Sequence, residues 1–299
     1  MPALPLAAVR RAAAARLFAA ALTLALAGLA PRPAAACDTP QTPCEIEGDW
    51  GSGVYHLATP DGPGPHPTVF FLHGYGGRAE RTMANDGIRM SLLNRGYAVV
   101  TPQGMPRREG DSGGSWNAFA WEERRDDVAF LAAVAEDAAA RAPLDRARML
   151  ASGFSGGGMM VWRVACDAPR TFAAYAPIAG LLWRPLPDAC AGQVKMLHIH
   201  GWTDPVVPLE GRSVAGGRIT QGDVFRGLDL LRDANACVKD DPDEYAQAGP
   251  ENAFWLRRWT DCAPGSALEF ALFHGGHRIP QGWSALTLDW FEGFDADPS

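Results

Sequence analysis

Gly153-Phe154-Ser155-Gly156-Gly157 decides how this chain is read, because it lies where an apolar run gives way to a run of small residues. Residues 149–151 lead in as a buried strand would, and Gly158-Met159-Met160-Val161-Trp162 leads out as a buried helix would. A serine held on a sharp strand-to-helix turn points its hydroxyl out of the sheet. Glycines must flank it, because side chains would collide there. A second match to the same spacing, Gly110-Asp111-Ser112-Gly113-Gly114, follows the charged Arg107-Arg108-Glu109 and precedes Ser115-Trp116-Asn117. No strand enters it and no small-residue helix leaves it, so it predicts a loop. Ser155 is the candidate nucleophile.

Outward from the elbow, short apolar runs alternate with helical patterns, which predicts an α/β fold with a mostly parallel central sheet and helices on both faces. Strands are expected at residues 68–72, 97–101, 148–153, 175–179, 194–200, 254–259 and 268–273. Helices are expected at 78–94, 126–140, 157–166, 223–236 and 284–294; in the second, Val128, Leu131, Ala132 and Val134 fall at helical spacing. Residues 59–67, rich in proline, form a turn-rich entry to the first strong strand. With no repeat, linker or composition shift after residue 62, residues 37–299 are expected to form one domain.

The N-terminus is basic at Arg10, Arg11 and Arg16, apolar over residues 17–29, and small at Ala34-Ala35-Ala36. Thirteen apolar residues are too few to span a bilayer, so residues 1–36 are expected to be a cleaved secretory signal. Cys37 directly after the site raises lipidation, but Ala34 stands where a lipobox has Leu. No other segment is long and apolar enough for stable membrane insertion. Loss of residues 1–36 removes four arginines and no acid, moving the formal charge from −7 to −11. An acidic surface argues against nucleic acid or anionic lipid as partner.

Six cysteines are an even number in an oxidising compartment, with 15 possible connectivities. Their order suggests the local pairs Cys37–Cys44, Cys166–Cys190 and Cys237–Cys262. No CxxC pattern or Cys/His spacing points to redox chemistry or to a metal.

A nucleophilic serine needs a base, and the base needs an orienting carboxylate. In sheets of this kind the functional groups gather at the carboxyl ends of strands. Asp204 follows the strand ending at His200, and His277 follows the last strand, so the order Ser155, Asp204, His277 is that of an α/β-hydrolase. His274 competes with His277, but two intervening glycines give His277 the freer position. His198 alternates along a buried strand as a core residue would, and His200 is expected to support the turn carrying Asp204. Asp167 and Asp188 follow no strand directly and read as a helix-end residue and a solvated loop residue. An oxyanion is expected to be held by the backbone N–H groups of Gly156 and Tyr75. The chemistry implied is acyl transfer without metal or cofactor.

Taken together, these stretches resemble a known group. They are His73-Gly74, Asp126-Asp127-Val128-Ala129-Phe130-Leu131, residues 153–160 and 172–180, His200-Gly201 with Asp204-Pro205-Val206-Val207-Pro208, and Gly275-Gly276-His277. The group is the polyhydroxybutyrate depolymerase and LpqC-like secreted esterases, which include bacterial feruloyl esterases. The resemblance covers most of the chain after residue 36 and implies a Ser155/Asp204/His277 triad and a Cys237–Cys262 disulfide. Trp202 departs from the small residue usual before the acid, and Ile279 stands where the group often has Trp.

Trp116, Phe119 and Trp121 fall in one loop and Trp183 and Trp202 near strand ends, where aromatic faces can stack on a feruloyl ring or a sugar. Of these, Trp116 and Trp202 are the expected substrate contacts. No linker or polymer-binding module is evident, which favours soluble feruloyl or acetyl esters of plant polysaccharide over polyhydroxyalkanoate oligomers. A non-catalytic binding protein on the same fold, or a peptidase, are the readings from other classes.

Overall fold

The computed structural model describes residue 37 and residues 39–294; the signal-peptide reading of residues 1–36 lies outside the described residues. The strands Cys44–Gly48 (β1), Gly51–Ala58 (β2), His66–Leu72 (β3), Ala98–Pro102 (β4), Leu144–Phe154 (β5), Ala174–Ile178 (β6), Lys195–Gly201 (β7), Glu244–Ala248 (β8), Phe254–Trp259 (β9) and Ala267–Phe273 (β10) form one sheet. Their order is β1-β2-β4-β3-β5-β6-β7-β10-β9-β8. The inner strands β4, β3, β5, β6, β7 and β10 run parallel, and the outer pairings are antiparallel.

The apolar run Val69-Phe70-Phe71-Leu72 shows why the sheet is covered on both sides. Successive side chains point to opposite faces. Phe70 and Leu72 enter one apolar cluster, and Val69 and Phe71 enter the other. The covering helices are Ala79–Met83 (α1), Asp86–Leu93 (α2), Asp127–Arg141 (α3), Gly156–Asp167 (α4), Val224–Ala234 (α5) and Trp283–Glu292 (α6). Phe130 of α3, Trp162 of α4 and Leu228 of α5 fill the first cluster; Leu92 of α2 and Leu288 of α6 fill the second. Two of these helices begin on an aspartate. Asp126 accepts from the Val128 and Ala129 N–H groups, and Asp223 from those of Phe225 and Arg226. Each such cap contributes about 1 kcal/mol.

Two expectations need correction. The single helix expected over residues 78–94 is two helices, because Asn85 takes an extended backbone and its side chain accepts from the Gly87 N–H at 2.9 Å. That makes Asn85 the cap of α2 and ends α1 before it. The edge strands β1 and β8, and β2 beside β1, were also not anticipated. β1 (Cys44-Glu45-Ile46-Glu47-Gly48) and β8 carry charge on exposed positions, and β2 opens on the exposed Gly51 and Ser52 and is buried only from Tyr55 to Ala58, so none shows a buried alternation. The cysteines pair as Cys37–Cys44, Cys166–Cys190 and Cys237–Cys262, as their order along the chain predicted. No helix among the described residues is long and apolar enough to cross a membrane.

Register sets up the site. Leu72 pairs with Gly153, Phe154 with Ile178, and Gly201 with Phe273, so the loops leaving β3, β5, β6, β7 and β10 emerge side by side at one edge of the sheet.

Candidate active site

β5 ends at Phe154 and α4 begins at Gly156, leaving Ser155 alone on the turn with φ 55° and ψ −118°. Positive φ is unfavourable for a residue with a Cβ. The turn is held from both sides: the Ser155 N–H donates to the Ile178 carbonyl at 2.9 Å, and the Ser155 carbonyl accepts from the Met159 N–H at 2.8 Å. A Cβ on Gly153 would lie 2.8 Å from the Gly157 backbone, and one on Gly157 would collide with the Leu72 carbonyl. The glycines at these positions are therefore a steric requirement of packing the elbow against β3.

His277 Nδ1 lies 2.7 Å from Asp204 Oδ2, and His277 Nε2 lies 2.9 Å from Ser155 Oγ. An ionised carboxylate only accepts, so Nδ1 carries the proton and Nε2 is left to accept from the serine hydroxyl. Asp204 Oδ1 accepts from the Val206 and Val207 N–H groups, each at 2.9 Å. Burial alone would push the Asp204 carboxyl up. The His277 ring and the two N–H groups outweigh burial and hold it below the ordinary carboxylate range.

A second set of rings stands behind Asp204. The Trp162 indole N–H donates to His198 Nδ1 at 3.1 Å, His198 Nε2 lies 3.0 Å from His200 Nδ1, and His200 Nε2 lies 2.7 Å from the Val207 carbonyl. Trp162 has a donor only, so the tautomers follow one from the next. His198 accepts at Nδ1 and donates from Nε2, and His200 then accepts at Nδ1 and donates from Nε2. Burial holds both rings below the ordinary histidine range, with His198 far below it, so both are neutral. His200 Nε2 also lies 3.6 Å from Asp204 Oδ2. The relay ends on the turn that presents the carboxylate.

The loop after β3 carries Tyr75, and a Cβ on Gly156 would lie 3.1 Å from the Tyr75 amide nitrogen. The two N–H groups expected to hold an oxyanion are thus neighbours. Gly156 is the first residue of α4, so its N–H has no intrahelical acceptor. His73 anchors this loop from beneath. It accepts from the Gly104 N–H at Nε2 (3.0 Å) and donates from Nδ1 to the Gly74 carbonyl (2.9 Å). Burial pushes its pKa down to about 4.

Trp116 corrects the sequence reading. It is 6% exposed, and its N–H donates to the His73 carbonyl at 2.8 Å, so it braces this loop and offers no face to a ligand. Trp202, by contrast, is 55% exposed beside the Asp204 turn and faces a cavity of about 660 Å³ shared with Tyr245 and Trp255. Ser112 lies exposed in the loop between two short strands, 105–106 and 114–115. His274 faces solvent and accepts from Arg278 only through its carbonyl. Asp167 pairs with Arg163. The buried pair of Arg125 and Asp127 was not anticipated. Its 2.6 Å contact, with the Asn117 N–H donating to Asp127 at 2.6 Å, pins the loop behind Trp116. The only signal for it was an acidic doublet at a helix start, which also serves as a cap.

The sheet order and the elbow define an α/β-hydrolase fold. Residues 54–184 match the family of X-Pro dipeptidyl-peptidases (S15 family). Feruloyl esterase C of Emericella nidulans is 32% identical over 168 residues, 52% of this chain and 57% of that protein. The chain spans about half the length of the curated relatives it matches. Among solved structures, an acetyl xylan esterase from Aspergillus awamori superposes with a TM-score of 0.60 at 16% identity, covering 84% of this chain and 98% of that one. A Bacillus cereus carboxylesterase superposes with a TM-score of 0.53 at 13% identity, covering 81% and 94%. Likeness at such low identity establishes the fold alone.

Proposed function

We propose that this chain is an exported serine hydrolase that cleaves carboxylic esters, with feruloyl or acetyl esters of plant polysaccharide as the substrate class. In this reading residues 1–36 are the leader and residues 37–299 the catalytic unit. The contact chain Ser155–His277–Asp204, at 2.9 and 2.7 Å on a glycine-walled elbow, is the observation that carries it. Ser155 Oγ attacks the ester carbonyl carbon while its proton passes to His277 Nε2, and Asp204 holds the imidazolium that forms. The N–H groups of Gly156 and Tyr75 receive the oxyanion. The tetrahedral intermediate collapses as His277 protonates the departing alkoxide, leaving an acyl-Ser155. Water, deprotonated by His277, then releases the acid and restores the serine.

The substrate class is supported by the feruloyl esterase relative and by the exposed aromatic side chains around the loops. The test is hydrolysis of methyl ferulate, p-nitrophenyl acetate, a hydroxybutyrate oligomer and an X-Pro p-nitroanilide, by wild type and Ser155→Ala. Ferulate or acetate turnover that vanishes in the variant supports the proposal. Oligomer turnover alone would move the substrate to polyesters, and anilide turnover alone to the peptidase reading that the S15 match favours. Inertness toward all four would leave a binding protein.

A further inference from the structure

A cavity of about 940 Å³ opens where the loop leaving β6 meets the loop carrying Phe119. It is near the elbow. Phe154 pairs with Ile178, so the loop after β6 starts one strand spacing, about 5 Å, from Ser155. A Cβ on Gly180 of that loop would lie 2.7 Å from the Ser155 carbonyl. One wall is an aromatic stack: Phe119 lies between Trp121 and Trp183, its centroid 4.3 Å from each, at 8° and 28°. Trp121 is 40% exposed. The rest of the wall includes Arg163, Arg184 and Arg218 and, among the described residues, no carboxylate.

Arg163 is neutralised by Asp167. Among the described residues, the Arg184 and Arg218 side chains are hydrogen-bonded only to the Glu210 and Ala215 carbonyls, which position a guanidinium without cancelling its charge. Two uncompensated guanidiniums beside an aromatic stack are unexpected in a chain of formal charge −7. Aromatic faces accept the flat side of a six-membered ring, and a guanidinium fork accepts a carboxylate in two parallel hydrogen bonds.

We propose that this cavity binds a ring bearing a carboxylate. Two sources share that chemistry: a uronate sugar in the polysaccharide part of the ester, or the aromatic acid that hydrolysis releases. The inference rests on the esterase reading for the choice of ligands, but the site itself is independent of turnover.

The experiment is a calorimetric titration of the wild-type protein with a uronate oligosaccharide and with ferulate, each beside its neutral counterpart, a xylo-oligosaccharide and ferulamide. At least one acidic ligand is expected to bind ten-fold or more tightly than its neutral partner, and less tightly in 0.5 M salt. Arg184→Gln with Arg218→Gln should weaken that binding about ten-fold, with thermal melting confirming a folded protein. Arg226→Gln, which removes an exposed charge on α5, should leave it unchanged. Uronate binding places the site on the alcohol side of the substrate, and ferulate binding makes it a product site. Equal affinity for neutral ligands, an equal effect of Arg226→Gln, or no saturable binding overturns the proposal. An inert protein that still binds the acidic ring would sink the esterase reading and leave this one standing.

Discussion

Replacing His198 with Phe keeps a ring in place against Phe270, whose centroid lies 5.5 Å away, but cuts the relay behind Asp204 at both of its bonds. The Trp162 N–H and the His200 Nδ1 lone pair would then face carbon, in residues with 0% exposure. An orphaned buried polar group costs about 1–3 kcal/mol, so two should destabilise by about 2–6 kcal/mol. Trp162→Phe empties volume in either background, yet breaks a hydrogen bond only when His198 is present. The double-mutant cycle should therefore show a coupling of about 1–3 kcal/mol. Urea unfolding with the disulfides intact measures both quantities. With Nδ1 of His200 unpaired, the ring keeps its Nε2 proton on the Val207 carbonyl but loses its support from behind, and the Val207 end of the Asp204 turn loosens. Turnover of an activated ester should fall about ten-fold, with little change in KM. A stability loss under about 1 kcal/mol, or a cycle without coupling, would refute the tautomer assignment.

Three further outcomes are expected. Asp204→Asn can donate to His277 Nδ1 and so place the ring proton on Nε2, facing the serine; turnover should fall on the order of 10⁴-fold with the fold intact, as circular dichroism and ester kinetics would show. His73 has a folded pKa of about 4 against an ordinary 6.5, so its stabilisation is complete above 6.5 and is lost as pH falls toward 4. The loss amounts to about 3 kcal/mol, to be read as the drop in unfolding free energy between pH 7 and pH 4 that His73→Gln abolishes. Removing the Cys237–Cys262 bridge by a double alanine substitution frees a loop of 25 residues and should cost about 3 kcal/mol, measured by thermal unfolding.

Much of the architecture was legible because the inner strands are buried on both faces. Runs such as Val69-Phe70-Phe71-Leu72 have only one folded use, and each is followed by the glycine or polar residue that ends it. The same logic placed Ser155, Asp204 and His277 at strand ends, and the structure sets them within hydrogen-bond reach of one another. The edges were not legible. β1 and β8 bury few side chains, β2 is buried only over its second half, and pairing at the sheet's edges is a matter of backbone geometry that composition barely records. Contacts between distant segments were invisible for a different reason. Nothing local links Trp162 to His198, or Phe119 to Trp183, and Trp116 differs from Trp121 only in which way the loop turns it.

Ser155, Asp204 and His277 hang from β5, β7 and β10; β7 pairs with β10, but β5 reaches them only through β6. No hairpin or helix pair among the described residues holds two of them. Under the proposed mechanism, fragments ending before β10 would have the serine and the acid but not His277, the base. Recovered turnover after refolding would therefore count whole molecules, not partly assembled ones. On the proposed mechanism, activity is a census of completed sheets.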